Sequence, residues 1–388
     1  VELPIFFGEG KRMGQKLKLI APCIFGIESI AANEFKRMGF ENVVSENGRI
    51  LLEGDYGLLA RANINSRFAE RILINVGQSN VCSFTELFDF VAGLPWENFI
   101  GKLDSFPVVG SSVDSTLHSV PDCQSIIKKA IVSRLSQKYG ISWFAETGSE
   151  HKVRFTIIKN FASITIDTSG EGLHKRGYRK NSNAAPIKET LAAAICDLAR
   201  IYPDTKLIDP FCGSGTILIE AAMMASKIAP GLNRFFAAER FDFIPHSVWA
   251  SERERARESV IRDVDFEGTG FDIDPKCTEL TLENAKKAGV SRLIKAKTKD
   301  FNDFNLPDER LIVITNPPYG ERLLDVKSAE EIYRKMGERF NSVKDKKYFV
   351  ISPHDEFEKF FGREADKRRK LYNGMIKCQL YMYFRNGR

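Results

Sequence analysis

Two kinds of hydrophobic patterning divide this chain. In the first part, short β-type runs alternate with amphipathic helices. Lys16 to Ala21 alternates as a strand, Gly26 to Met38 repeats at helical spacing, Arg49 to Leu52 is extended, and Tyr56 to Phe68 is helical again. These predict a small α+β unit over residues 15–68. A strand at Ala69 to Val76, a helix at Ser83 to Ala92, a strand around Phe106 to Val113, a helix at Asp122 to Tyr139 and paired strands at Val153 to Lys159 and Ala162 to Thr168 predict a second unit over 69–168. Lys159-Asn160-Phe161 reads as a tight hairpin between the last two strands.

Periodicity disappears from Ser169 to Ala185, which marks a basic linker, and a regular helix–strand alternation follows. Helix Ile187 to Tyr202, strand Lys206 to Asp209, helix Gly215 to Ile228, strand Gly268 to Asp272 and helix Pro275 to Gly289 lead into a strand near Leu293 to Lys297. Strand Leu311 to Thr315, helix Ala329 to Val343, strand Lys347 to Ser352 and helix Asp355 to Phe361 continue the pattern. This alternation predicts a doubly wound parallel α/β sheet. Asn373-Gly374, flanked by Lys370 to Tyr372 and Met375 to Phe384, adds an antiparallel hairpin at its end. Residues 186–388 therefore form one domain, in which the run Ser251 to Ser259, dense in Glu and Arg, reads as a solvated helix.

Length changes this picture little: 388 residues at roughly 150 per domain allow two or three units. No apolar run approaches the roughly 18 residues that cross a bilayer, and residues 1–14 carry no signal-peptide core, so they read as an extension and no membrane is expected. The 7 cysteines include no CxxC pair, which fits reduced thiols in a cytoplasm. His118, His151, His174, His246 and His354 lie far apart, and no metal site is expected.

The net charge of +6 is too mild to name a partner, so its local distribution matters more. Lys175, Arg176, Arg179, Lys180 and Lys188 accumulate between Gly172 and Lys188 without an acid, and Tyr178 stands among them. Lys128, Lys129, Arg134 and Lys138 share a predicted helix, and Lys367 to Lys370 form a third group. Together they point to nucleic acid, with Lys175, Arg176, Tyr178, Arg179, Lys128 and Lys129 as the candidate RNA contacts.

The first strand of the α/β half ends in Asp209-Pro210-Phe211-Cys212-Gly213-Ser214-Gly215-Thr216 and runs straight into an apolar helix. Glycines there allow a tight turn and close approach of a ligand. No Gly-Lys-Ser/Thr ending is present for a nucleoside triphosphate, and Leu218 replaces the third glycine of a dinucleotide loop. A carboxylate at the strand tip repels a pyrophosphate but attracts the ammonium and sulfonium of S-adenosylmethionine. Asp209, Pro210, Phe211, Gly213, Ser214, Gly215 and Thr216 are therefore the candidate cofactor loop. Asp272, followed by Ile273 at the tip of the next strand, is the candidate ribose ligand. Its separation from Asp209 far exceeds the roughly 20 residues of a simple dinucleotide fold and requires an insertion between Met224 and Phe266. Asp300, with Phe301 beside it, is a candidate for the adenine amino group, and a helix cap is its competing reading.

Asn316-Pro317-Pro318-Tyr319-Gly320 closes the apolar strand Leu311 to Thr315. A nucleobase amino group is a poor nucleophile because its lone pair is delocalised. The Asn316 oxygen and the Pro317 carbonyl can accept its two N–H bonds and aim the lone pair at a sulfonium methyl, with the prolines fixing that carbonyl. Tyr319 offers a stacking face for an extruded base. Carbon-5 methylation needs a cysteine nucleophile and finds Asn316 instead, while Cys212 reads as a small filler.

The α/β half resembles amino-methyltransferases with an Asn/Asp-Pro-Pro-Tyr motif, a class I, Rossmann-like fold with a seven-stranded sheet and a C-terminal antiparallel hairpin. Nearly the whole chain resembles the RlmL/YpsC-like rRNA methyltransferase family, through Ala21 to Glu28, Leu117 to Asp122, Leu173 to Arg179 and Ala185 to Thr190 as well as the two motifs. The resemblance implies a ferredoxin-like unit and a THUMP RNA-binding domain ahead of the catalytic domain. It further implies methylation of guanine N2 in large-subunit (23S) rRNA, S-adenosylhomocysteine as product, and a place near the substrate for Leu173 to Arg179. Some members carry a second methyltransferase domain, and no second reaction is expected of this chain. N6-adenine methylation of DNA or RNA and a non-catalytic RNA-binding assembly role are the alternatives.

Overall fold

The computed structural model describes residues 16–179, 187–304, 306–307, 310–319, 326–342 and 346–384. The N-terminal extension, most of the linker beyond Arg179 and Gly320 lie outside them. Among the described residues the strands form two seven-stranded sheets, and no helix is long and apolar enough to cross a membrane.

The first sheet contains β1 (Leu17–Pro22), β2 (Val43–Glu46), β3 (Arg49–Gly54), β4 (Leu73–Asn80), β5 (Val108–Val113), β6 (Val153–Ile158) and β7 (Phe161–Asp167), in the order β2-β3-β1-β4-β7-β6-β5. Helices α1 (Glu28–Met38), α2 (Tyr56–Asn65), α3 (Phe84–Ala92) and α4 (Val120–Tyr139) accompany it. Local chemistry sets several boundaries. The carboxylate of Asp55 accepts the Leu58 amide at the start of α2, Ser119 caps α4, and Gly140 ends α4 in the left-handed conformation. Lys159 and Asn160 both have positive φ, 51° and 65°, as the tight β6–β7 turn requires. The two α+β units share one sheet because β1 pairs with β4 at Leu19↔Ile74 and Ile20↔Leu73. Periodicity carries no information about such a pairing. It also misses β2, a short and largely exposed edge strand.

The second sheet carries β8 (Lys206–Asp209), β9 (Glu267–Asp272), β10 (Ile294–Thr298), β11 (Ile312–Thr315), β12 (Lys347–Ser352), β13 (Lys367–Asn373) and β14 (Ile376–Tyr383). Its order is β10-β9-β8-β11-β12-β14-β13, parallel from β10 to β12 and closed by the antiparallel β13–β14 hairpin. Helices α5 (Glu189–Ala199), α6 (Thr216–Ala225), α7 (His246–Glu258), α8 (Pro275–Lys287), α9 (Val326–Asn341) and α10 (Phe357–Phe361) connect the strands. The order reverses between β8 and β11, and such a switch point opens a crevice at the carboxyl ends of the strands.

The predicted insertion between α6 and β9 is present, and its helix is solvated as expected on most of its surface, with one face turned inward. Trp249, Glu252 and Ala256 are buried, at spacings of three and four residues on one face of α7, and α7 packs against α2 of the first half. Arg61 on α2 grips Glu252 with both nitrogens of its fork, at 2.8 and 2.7 Å. His151 stacks on Phe241 at 4.1 Å, and Ser149 donates to the Arg240 carbonyl. The insertion therefore fastens the two halves together, and one hydrophobic core runs through both.

Candidate active site and cofactor cradle

Asp209 ends β8, with β9 on one side in register at Asp209↔Gly270 and β11 on the other. Its carboxylate is buried, and Oδ1 accepts the Phe211 amide at 3.1 Å and the Thr315 hydroxyl at 2.8 Å. Burial, with a smaller contribution from Asp272, pushes its pKa up to about 7 against the opposing effect of these two bonds. No cation offsets the burial: among the described residues Asp209 forms no salt bridge. The site therefore favours a cationic ligand. Thr315 ends β11 and immediately precedes Asn316, so the two expected motifs meet at the switch point.

The loop after Asp209 is held by its neighbours. Cys212 donates its amide to the Phe271 carbonyl at 2.9 Å, and Gly213 donates to Asp272 Oδ2 at 3.0 Å. Gly213 has φ +53°, and a side chain there would meet nothing within 4 Å, so its α-carbon borders open space. Gly215 caps α6 at φ +78°, and a Cβ on it would strike Thr281. Thr281 and Asn284 on α8 donate to the carbonyls of Gly213 and Ser214 at 2.9 and 3.0 Å. Both are fully buried polar residues, and nothing in the sequence marks them. Cys212 is buried as a filler, and burial raises its thiol pKa far above the usual value.

Asp272 is half-buried and accepts amides on both oxygens, from Gly213 and from Asp274 at 3.0 Å each. Ile273 beside it is 69% exposed, an uncovered apolar side chain next to the candidate ribose ligand. Asp300 caps the turn Phe301–Asp303 through the Asn302 amide at 2.7 Å, so the competing cap reading describes its Oδ1. The Phe301 ring does not stand free for an adenine. It is buried in the second core, 4.9 Å from Phe211 and under the Arg339 guanidinium.

Asn316, Pro318 and Tyr319 are partly exposed, and Pro317 is buried. The Pro318 carbonyl accepts the Tyr333 hydroxyl at 3.5 Å, and that hydroxyl also lies 3.2 Å from Ser352 Oγ. Burial raises the Tyr333 pKa to about 12, so it stays a donor. Tyr333 on α9 and Ser352 at the end of β12 brace the motif from behind. Neither is visible in the sequence, because each matters only through its place in the sheet. Among the described residues no cluster of His, Cys, Asp or Glu could hold a metal.

Several basic candidates are structural. Arg176 is almost fully buried: it ion-pairs with Glu220 at 3.3 Å and donates to the carbonyls of Leu173 and Arg67 at 2.7 and 2.6 Å. Tyr178 is buried and donates to the same Glu220 at 3.0 Å. Arg179 lies 3.0 Å from Glu189 and donates to Thr216. Burial within the junction leaves Arg176 and Tyr178 no face for a phosphate or a base, which corrects that expectation. Lys175 is exposed and paired with Glu171. Lys128 sits 3.5 Å above the Phe106 ring and bonds Glu146, whereas Lys129 is exposed.

Residues 176–382 match the family model described as the RMKL-like methyltransferase domain. The chain belongs to the RMKL-like methyltransferase family. Residues 18–73 match the RlmL ferredoxin-like domain and 81–167 the THUMP domain, so this RMKL-like chain has the architecture that its resemblance implied. It is 43% identical to the Bacillus subtilis (strain 168) protein named "Putative RNA methyltransferase YpsC", over 95% of this chain and 96% of that one. It is 32% identical to "Ribosomal RNA large subunit methyltransferase K/L" of Cellvibrio japonicus (strain Ueda107), covering 94% of this chain and 50% of that protein, so it spans about half of that relative. A crystal structure of SMU.472 complexed with SAH superposes with a TM-score of 0.90 at 40% identity, over 96% and 99% of the two chains. One from Listeria monocytogenes str. 4b F2365, titled a predicted N6-adenine-specific DNA methylase, gives 0.91 at 42% identity over 97% and 98%.

Proposed function

We propose that this RMKL-like methyltransferase uses S-adenosylmethionine to methylate the exocyclic N2 of a guanine in large-subunit ribosomal RNA, and releases S-adenosylhomocysteine. The observation that supports this reading is the 2.8 Å bond from Thr315, the residue before Asn316, to Asp209, the carboxylate we assign to the cofactor. Asp209 takes the cationic methionine end, the loop to Thr216 closes round it, Asp272 takes the ribose, and Ile273 covers one face of the adenine. The amino group of an extruded base gives its two N–H bonds to Asn316 and the Pro317 carbonyl, with Tyr319 stacked on the base. The amine nitrogen bonds the methyl carbon, the carbon–sulfur bond breaks with its electron pair left on sulfur, and the extra amine proton passes to water. Orientation and proximity supply the rate, without a strong general base.

RNA rather than DNA is favoured by the names of two relatives and by the THUMP domain, whose exposed Lys129 suits a phosphate. Adenine N6 is the second reading, because the strand-tip motif suits either amine and one similar structure bears that title. The test incubates the protein and labelled cofactor with ribosomal RNA from an undermethylated strain and, separately, with DNA, followed by nucleoside mass analysis. N2-methylguanosine from RNA is the expected product. N6-methyladenosine, or label in DNA alone, overturns the proposal.

A further inference from the structure

Helix α6 follows the candidate cofactor loop, and one stripe of it is held by side chains that precede the loop in sequence. Thr216, Glu220 and Met223 lie at i, i+4 and i+7, on one face of the helix. Arg179 donates to Thr216 Oγ1 at 3.2 Å, Arg176 and Tyr178 meet Glu220 at 3.3 and 3.0 Å, and Arg67 of the first half donates to the carbonyls of Met223 and Ile228 at 3.2 and 2.7 Å. At the loop end the chain of bonds continues, because Thr216 Oγ1 lies 3.3 Å from Ser214 Oγ. Arg179 is itself fixed, by Glu189 at 3.0 Å and the Ile187 carbonyl at 3.2 Å.

We infer that Arg179 is a positioning residue for the cofactor loop, holding Thr216 and through it Ser214 in the binding conformation. This rests on the reading of Asp209 to Thr216 as that loop. The basic segment at the start of the methyltransferase domain is thus part of the cofactor cradle's wall. It ties loop geometry to the docked first half, since Arg176 next to it bonds the carbonyl of Arg67.

Calorimetric titration of the full-length protein with S-adenosylhomocysteine tests this, with melting temperature measured alongside. Thr216→Val preserves volume but removes the hydroxyl, and it should weaken binding about tenfold, as expected for loss of a hydrogen bond to a charged group. Thr216→Ser should bind as the parent does. Arg179→Gln should lose as much as Thr216→Val, and the double variant no more than either, because both break one link. Parent-like affinity in Thr216→Val, or losses that multiply in the double variant, overturns the inference. If Arg179→Gln does not fold, the Val and Ser variants of Thr216 alone decide. Asp209→Asn is the separate control: undiminished binding there sinks the loop assignment itself.

Discussion

Thr315 and Asp209 stand 106 residues apart in sequence and share a 2.8 Å hydrogen bond inside the sheet. The bond joins the tip of the strand that leads into the candidate cofactor loop to the tip of the strand that leads into the Asn316 motif. It also opposes the burial that raises Asp209 to about 7.

Cofactor binding should therefore depend on pH through Asp209. A cationic ligand needs the ionised carboxylate, so affinity should be flat above about pH 7 and fall about tenfold per unit below it. The same raised pKa makes the ligand-free fold lose stability as pH climbs from the ordinary carboxylate range to about 7, where ionisation is forced in a buried site. Calorimetry from pH 5 to 9 measures the affinity. Asp209→Asn should flatten the profile, and Thr315→Val should move its midpoint to higher pH. A pH-independent parent would rule out Asp209 as the group that binds the cation.

The α7 insertion should behave as a fastener. Glu252→Ala leaves the Arg61 guanidinium without its bidentate partner and should cost about 2 kcal/mol in a denaturant melt. The pair Arg61→Met with Glu252→Leu should recover much of that loss, because no orphaned charge remains. An unchanged midpoint in Glu252→Ala would show that the contact carries no stability.

Arg176 should prove a folding residue. Removing one partner of its buried pair with Glu220 leaves an uncompensated charge, so Arg176→Ala should destabilise by about 3–5 kcal/mol. Lys129→Ala, by contrast, should leave the melt unchanged, weaken RNA binding and lower the salt slope by about one. A stable Arg176→Ala with weakened RNA binding would restore the expectation that the residue faces phosphate.

Much of this arrangement is legible in the sequence because the parallel sheet writes itself in a regular helix–strand alternation. Asp209 and Asn316 are readable for a related reason: one ends and the other follows an apolar strand whose tip faces the crevice. Arg176 and Tyr178 mislead because composition counts charges without knowing their partners, and Glu220 lies in another element. The Glu and Arg of α7 read correctly as a largely solvated helix, but they hide the narrow stripe of Trp249, Glu252 and Ala256 that meets α2. Thr281, Asn284, Tyr333 and Ser352 carry no motif, and only the assembled sheet brings them to the loops they brace.

In the proposed reaction the amine is oriented at Asn316 while the cofactor is held at Asp209. The most direct test measures methyl transfer to ribosomal RNA and S-adenosylhomocysteine affinity side by side in Asn316→Ala. Turnover should fall about a hundredfold or more with cofactor affinity unchanged. Parent-like turnover in that variant would mean that Asn316 does not orient the amine.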